Sequence, residues 1–390
     1  MQAMAEEIRS RVEAEGGAPK EEKKQGPNLP RPPLTPDETR LRGVLTEAPE
    51  EPEFLIRLDG EGLLTRGIVG MVAGQGGAGK TMFCLQLGMA AAAAGTFGPF
   101  EAPEPLRVLI LAAEDPTQEL DRRLWAMAGG DFPEHFYAAS VLGKIGPLME
   151  LKANNPRRSP WWAWLDETLS AHGALDVLIL DPKSRLFGLE ENSNDHATQF
   201  VASLEALAQR HRLTILFTHH APKGAKTINQ ALSRGAQALV DACRFGLGVM
   251  ELDEERGKKL GIEDFQTYLE VKITKNNYGA CGSRPIHFRR GAGGLLSPVN
   301  LSEERIKPMA LHLSFLLGQD GYHYTKRELI GRAAGKDIRA QMGAAFKGFV
   351  ASRDMGPAID HLLEEGFLSE QLKPGARGQA FVLTPAEGRI

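Results

Sequence analysis

Eight consecutive residues, Gly74-Gln75-Gly76-Gly77-Ala78-Gly79-Lys80-Thr81, spell the G-x-x-x-x-G-K-T phosphate loop, directly after an apolar strand-like run, Gly67 to Ala73. Glycines in those places let the backbone close into a nest whose N–H groups face phosphate oxygens, and a helix leaving the loop adds its positive end. Lys80 then reaches the β and γ phosphates, Thr81 offers a hydroxyl to Mg²⁺, and Met82 opens an Ala-rich helical stretch running to Ala94. A strand entering the loop and a helix leaving it predict an α/β fold. The implied ligands are a nucleoside triphosphate and Mg²⁺.

A chain of 390 residues, 42% of them hydrophobic, has material for two or three domains. The net charge of −4 excludes a uniformly basic surface, so contact with a polyanion has to come from local loops or from a pore lined after assembly. Cys84, Cys243 and Cys281 are isolated and odd in number, which indicates neither a disulfide framework nor a zinc site and fits a cytoplasmic protein. The start, Met-Gln-Ala-Met-Ala-Glu-Glu, lacks the basic and apolar parts of a signal peptide, and the longest Ala-rich stretch is too short for a bilayer. No membrane role is expected.

Three regions separate by composition. Residues 1–52 are charged and proline-rich, too poor in apolar area to offset chain entropy, and read as a disordered tail with a short helix near Ala3 to Glu15. Over 53–300, strand-like runs alternate with helical stretches: Ile68 to Ala73, Arg107 to Ala112, Ala139 to Gly143, Val177 to Leu180, Thr214 to Thr218, Phe245 to Glu251 and Tyr268 to Thr274. That rhythm predicts a mainly parallel central sheet. Over 301–390, helical patterns at Glu304 to Leu317, Thr325 to Ala334 and Met355 to Glu365 precede two short strands around a Lys-Pro-Gly-Ala-Arg-Gly turn, which suggests a winged helix.

Hydrolysis needs an aligned water and a held metal as well as a phosphate cradle. Val108 to Ala113 leads into Glu114-Asp115-Pro116, and Leu175 to Leu180 leads into Asp181, so both acids stand at C-terminal strand ends, where ligands of open α/β sheets sit. Glu114 is the candidate for polarising water, and Asp181, in a Walker B pattern, for holding Mg²⁺ through water. Asp115 is read as the N-cap of the next helix, with Pro116 at its first position. A third strand ends at His219-His220. Neighbouring strand residues face opposite ways, so at most one of these histidines should face the nucleotide, where it could sense the γ phosphate.

The set Gly74 to Thr81, Ala112-Ala-Glu-Asp-Pro, Leu178-Ile-Leu-Asp-Pro-Lys-Ser-Arg-Leu-Phe, Phe217-Thr-His-His-Ala-Pro-Lys-Gly, Ser233 to Arg244 and Lys275-Asn-Asn-Tyr-Gly resembles, in content and order, the plasmid RepA family of hexameric replicative helicases. The resemblance covers about 53–300. It implies a RecA-like ATPase core, a hexameric ring of identical subunits, ATP hydrolysis at subunit boundaries, 5′ to 3′ movement on single-stranded DNA, and a replication-initiation or primase partner. Residue by residue it makes Lys80 and Thr81 the phosphate and Mg²⁺ contacts, Glu114 the base, Asp181 the Walker B acid and His220 the sensor. Arg244 becomes the arginine finger, with Lys275 as runner-up, and Arg123 the residue stacked on adenine.

Single-stranded DNA is expected on the loops after the Walker B and His-His strands, through Arg185 in the first and Lys223, Lys226 and Arg234 in the second. Copies of such loops around a ring would give a positive throat in an acidic protein. The function so implied is an ATP-driven DNA helicase of a plasmid, phage or integrated mobile element. Two alternatives remain: a recombination or regulatory ATPase of RecA type that does not unwind processively, and a nucleotide-gated DNA-binding adaptor.

Overall fold

The computed structural model describes residues 51–221, 237–260, 262, 264–279, 284–320, 324–331, 335–346, 349–372 and 381–385. The tail, up to residue 50, lies outside them. Hairpin strands β1 (Phe54–Leu58) and β2 (Glu61–Thr65) precede β3 (Val69–Gly74), the phosphate-loop strand, and helix α1 (Lys80–Ala92) follows it. Short strands β4 (Thr96–Phe97) and β5 (Phe100–Glu101), then β6 (Val108–Ala112), α2 (Thr117–Ala128), β7 (Phe136–Ser140), β8 (Met149–Lys152), β9 (Asn155–Arg158) and α3 (Pro160–His172) come next. Then follow β10 (Val177–Asp181), α4 (Lys183–Leu186), α5 (Asn194–His211), β11 (Thr214–His220), α6 (Gln237–Ala242), β12 (Phe245–Glu251), α7 (Glu254–Leu260), β13 (Tyr268–Asn276), β14 (Ile286–Arg290) and β15 (Leu296–Val299).

Nine of these strands form one sheet in the order β15-β14-β13-β12-β3-β11-β10-β6-β7. The run from β12 to β7 is parallel, and β13, β14 and β15 close one edge antiparallel. The α/β fold with a mainly parallel sheet is therefore the one expected. Every residue of β3, β6 and β10 is buried, because both faces are covered, which is why these strands read as unbroken apolar runs. Side chains still alternate: Val69, Met71, Leu178 and Leu180 pack with Leu165, Phe200 and Leu204 of α3 and α5, whereas Val72, Val177 and Ile179 pack with Phe83 and Leu85 of α1. Under α1, Phe83 makes edge contacts with Phe100 and Phe288 at centroid distances of 5.6 and 5.8 Å. That cluster fixes the helix between the small sheet β2-β1-β5-β4 and the antiparallel edge.

Strand β7 starts at Phe136 and stops at Ser140, earlier than the expected Ala139 to Gly143. Its Phe136 pairs in register with Val108, and after Ser140 the backbone turns as Val141 N–H donates to Ala112 O. The hairpins β1–β2, β4–β5 and β8–β9 and the closing strands β14 and β15 went unread. They are two to five residues long, too short to show a period, and apart from Phe54-Leu55-Ile56 of β1 they lack an apolar run of three.

Beyond β15 come α8 (Leu301–Asp320), α9 (Lys326–Gly331), α10 (Lys336–Ala345), α11 (Ala351–Glu364) and the antiparallel pair β16 (Leu368–Leu372) and β17 (Phe381–Pro385). Helices stand at the three expected places and the two expected strands pair, while the Lys-Pro-Gly-Ala-Arg-Gly turn and residues 332–334 lie outside the described residues; α10 is an additional helix, and its buried face is only Ile338 and Met342, too sparse to show periodicity. These elements share a core around Leu313, Met342, Met355, Ile359 and Leu362. A small cluster of Leu252, Ile262, Tyr268 and Leu301, and a hydrogen bond from Tyr268 Oη to Glu304 at 3.0 Å, join them to the sheet edge. Among the described residues no helix is long and apolar enough to cross a membrane.

Candidate active site

β3 carries the phosphate loop to the C-terminal end of the parallel strands, and backbone sterics dictate its glycines. Gly79 caps α1 at φ 88°, and a Cβ there would also stand 2.8 Å from Leu269 Cδ2. Gly74 is confined by approach: its Cβ would lie 2.1 Å from the Val249 carbonyl oxygen on β12. Gly76, Gly77 and Ala78 complete the loop, and Ala78 N–H donates to Gln75 O at 3.2 Å.

Lys80 is buried and its Nζ donates to the carbonyls of Gly74 and Gln75 at 2.9 and 2.8 Å. Burial pushes its pKa down, while Asp181, Cys84 and Glu114 act in the opposite sense. The next contact is His220, whose Nδ1 is 3.3 Å from Lys80 Nζ and whose Nε2 is 3.5 Å from Glu114 Oε2. A neutral imidazole that accepts at Nδ1 and carries its proton at Nε2 suits both neighbours. Glu114 Oε1 lies 3.4 Å from Arg185 Nε, on α4. Lys80, His220, Glu114 and Arg185 thus form one polar run from the phosphate loop to the segment after β10.

Asp181 ends β10 and is buried, with one carboxylate oxygen accepting from the Thr218 hydroxyl of β11. That bond fixes the carboxylate at the floor of a cleft of about 360 Å³, which Thr81, Met82 and Glu114 also line. Among the described residues no group of three or more metal-ligating side chains occurs. A magnesium ion held by one hydroxyl, by a carboxylate through water, and by phosphates does not need one, so Thr81 and Asp181 fit it. His219, the other histidine, is buried and does not line the cleft; burial first, then its neighbours Lys183, His220 and Lys80, push its pKa down to about 3. Strand alternation at this pair holds as expected.

Asp115 does not cap the following helix. Pro116 is the N-cap of α2, without a side-chain cap, because the Asp115 carboxylate is taken by Arg123 Nη1 at 2.5 Å. Arg123 Nε also donates to Glu119 at 2.8 Å, so two carboxylates hold its guanidinium at the cleft wall. Several cleft residues escaped the sequence reading, Glu119, Arg122 and Arg290 among them. Arg290, from β14, donates through Nη2 to Gly77 O at 2.9 Å and lies 3.4 Å from Glu251 through Nη1, while Gly293 and Gly294 beyond it line the same cleft. Its separation of 213 residues from Gly77 defeats any local motif, and only the Arg-Arg-Gly-Ala-Gly-Gly turn hints at it.

Arg244 stands at the other end of the strands, immediately before β12. Its backbone N–H donates to Val69 O at 2.9 Å, its half-exposed guanidinium is 3.7 Å from Glu205, and it lines a separate hollow of about 460 Å³ with Arg66 and Tyr278. Lys275 is engaged elsewhere: its Nζ donates to the carbonyls of Val240 and Asp241, at 3.0 and 2.8 Å, at the end of α6. Lys223, Lys226 and Arg234 lie outside the described residues.

A family profile described as AAA domain matches residues 30–226, just over half of the chain. Among solved structures, one described as an ATPase domain is 13% identical with a TM-score of 0.43, over 60% of this chain and 85% of that one. The KaiC-like protein PH0186 from the hyperthermophilic archaeon Pyrococcus horikoshii OT3 is 16% identical with a TM-score of 0.41, over 64% of this chain and 96% of that one.

Proposed function

Because the chain belongs to the AAA-domain family, we propose that it is an ATP-hydrolysing, ring-forming DNA helicase of the plasmid RepA type that moves along single-stranded DNA, in the service of a plasmid, phage or integrated mobile element. The backbone nest of Gly74 to Gly79 and the Lys80 ammonium bind and orient the triphosphate. Thr81, through its hydroxyl, and Asp181, through water, would hold Mg²⁺, which would neutralise charge on the triphosphate. Glu114 orients a water for in-line attack at the γ phosphorus and takes up its proton as the bond to the bridging oxygen breaks. Arg123 serves the adenine ring from the cleft wall. Arg244 serves the γ phosphate of a neighbouring copy as an arginine finger, a part its distance from its own cleft allows.

The observation that carries this reading is the run from Lys80 through His220 and Glu114 to Arg185. It links the phosphate-contacting lysine and the hydrolytic carboxylate to a cation on the segment after Asp181, so that losing the γ phosphate and binding a DNA phosphate act on one set of contacts. Residues 53–300 would form the motor. Residues 301–390 would form a winged-helix-like module for a protein partner or for weak backbone binding, since the stretch from Met355 to Glu365 offers Asp360, Glu364 and Glu365 against His361 alone.

The test is displacement of a labelled strand from a forked substrate in the presence of ATP, with Glu114→Gln as the inactive control. ATP-dependent displacement is expected. DNA-stimulated hydrolysis without displacement, together with strand exchange on homologous DNA, would favour the recombination alternative. Slow hydrolysis that DNA does not stimulate would favour the adaptor.

A further inference from the structure

Between β7 and α3 the chain detours through the β8–β9 hairpin, whose two strands pair with each other and with no other strand among the described residues. An isolated two-stranded ribbon adds little stability of its own, and of these strand residues only Met149 is buried. Its base is nevertheless clamped. Leu148 N–H donates to Leu186 O of α4 at 2.8 Å, Ser159 N–H donates to Leu148 O at 3.0 Å, and the Ser159 hydroxyl donates to Pro147 O at 2.5 Å. The ribbon is thus fixed to the segment that follows Asp181 and carries Arg185, while its strands stand in solvent.

The exposed part carries Lys152, Arg157 and Arg158 against a single carboxylate, Glu150, in a protein whose net charge is −4. Among the described residues none of the three cations has a carboxylate within 4.0 Å. Register pairs Glu150 with Arg157 and Lys152 with Asn155, which puts Lys152 and Arg157 on one face, about 7 Å apart along the ribbon. The Arg158 guanidinium lies 4.5 Å over the Trp162 ring. Next to it Trp161 is 36% exposed and is backed by Gly146, where a Cβ would stand 2.6 Å from the indole nitrogen. Cations without acid partners are by themselves only a solvated surface. Together with an exposed indole held in place three residues beyond the end of β9, they match single-stranded nucleic acid, which presents phosphates to cations and unpaired bases to aromatic rings.

We propose that the β8–β9 hairpin, with Trp161, is a binding site for single-stranded DNA, additional to the loops after β10 and β11. The proposal rests on the helicase reading for the identity of its ligand. Lys152 and Arg157 contact successive phosphates, and Trp161 offers a stacking surface to a base. Glu150, placed opposite Arg157, weakens the grip.

The test is binding of labelled oligo-dT to the full-length chain with non-hydrolysable ATP analogue, at several salt concentrations. Assembly and DNA-independent ATP turnover of each variant are checked in parallel and are expected to match wild type. Lys152→Ala/Arg157→Ala should weaken binding about tenfold at low salt and lower the log-log salt slope by about 1.4, two phosphates at about 0.7 each. Trp161→Ala should weaken binding roughly tenfold with no change of slope, because stacking releases no counterion. Glu150→Lys should tighten binding, an effect that a damaged fold would not give. Wild-type binding with an unchanged slope in the double variant and no gain in Glu150→Lys would overturn the proposal and leave the helicase reading intact. Absence of oligo-dT binding by the wild-type protein would overturn both. Loss of partner-dependent loading, with oligo-dT binding unaltered in every variant, would assign the ribbon to a protein contact and overturn the DNA site.

Discussion

Glu114 is half-exposed between His220 and Arg185, whereas Asp181 is buried under a hydroxyl donor, and the two carboxylates are suited to different work. A buried, oriented acid keeps its place for a metal shell, and an open one can reach a water. Glu114→Gln should therefore bind ATP like wild type but hydrolyse it ~10²-fold or more slowly, while Lys80→Ala should weaken both binding and turnover. Fluorescent-nucleotide titration alongside phosphate release separates the two, and near-normal turnover in Glu114→Gln would remove that residue from the chemistry. Arg290 acts earlier, on the shape of the phosphate loop. A nest that turns its N–H groups inward turns carbonyls outward, and Arg290 satisfies that of Gly77 with a charged donor. Arg290→Gln should raise KM for ATP about tenfold, or ~1.4 kcal/mol for one charge-assisted hydrogen bond, with kcat unchanged. A fall in kcat at unchanged KM would contradict a positioning role.

At the scale of elements, the C-terminal helices are tied by one buried ion cluster. Asp354 of α11 is fully buried and accepts from Arg305 of α8 at 2.8 and 2.6 Å, from Arg353 at 2.6 and 3.0 Å, and from Val350 N–H at 2.8 Å. Burial works to raise its pKa, but the hydrogen bonds from Arg353, Arg305 and Val350 outweigh it and hold the carboxyl at about 2. A folded-state pKa below the unfolded value of about 3.9 stabilises the fold above that pH, and the contribution disappears as pH falls towards about 2. The helices should accordingly loosen between about pH 4 and pH 2, followed by circular dichroism, and Asp354→Ala should cost about 3–5 kcal/mol at neutral pH by stranding Arg305. A variant as stable as wild type at neutral pH would show that the cluster contributes nothing net.

For the whole molecule, the site as it stands in one copy has Lys80, Glu114 and Asp181 at one end of the strands and Arg244 at the other. If a ring joins those ends, Arg244→Ala should bind ATP normally and hydrolyse it ~10³-fold more slowly, in line with the loss of an arginine finger. Mixed with Lys80→Ala subunits it should recover part of the activity, because each partner repairs a different half of a shared site. Full activity of Arg244→Ala alone would leave that residue as no more than the partner of Glu205. The AAA-domain match, over residues 30–226, stops before Arg244, so this half of the site rests on the helicase reading.

The sequence by itself determined the phosphate loop, the strand-end acids Glu114 and Asp181, and the α/β class, because each is written in contiguous residues: loop sterics, or apolar runs that are buried on both faces. It also indicated that at most one histidine of the pair faces the cleft, since strand alternation is a local rule. Only the tertiary structure decided the rest. Arg290 reaches Gly77 across 213 residues, Arg123 draws Asp115 away from its helix end, and Lys275 is spent on two carbonyls of α6. The β8–β9 ribbon lies outside the main sheet, with one buried strand residue and no apolar pattern to announce it. Contacts of that kind depend on which distant segments the sheet order brings together, and the order β12-β3-β11-β10 follows from packing of the whole chain rather than from any one stretch of it.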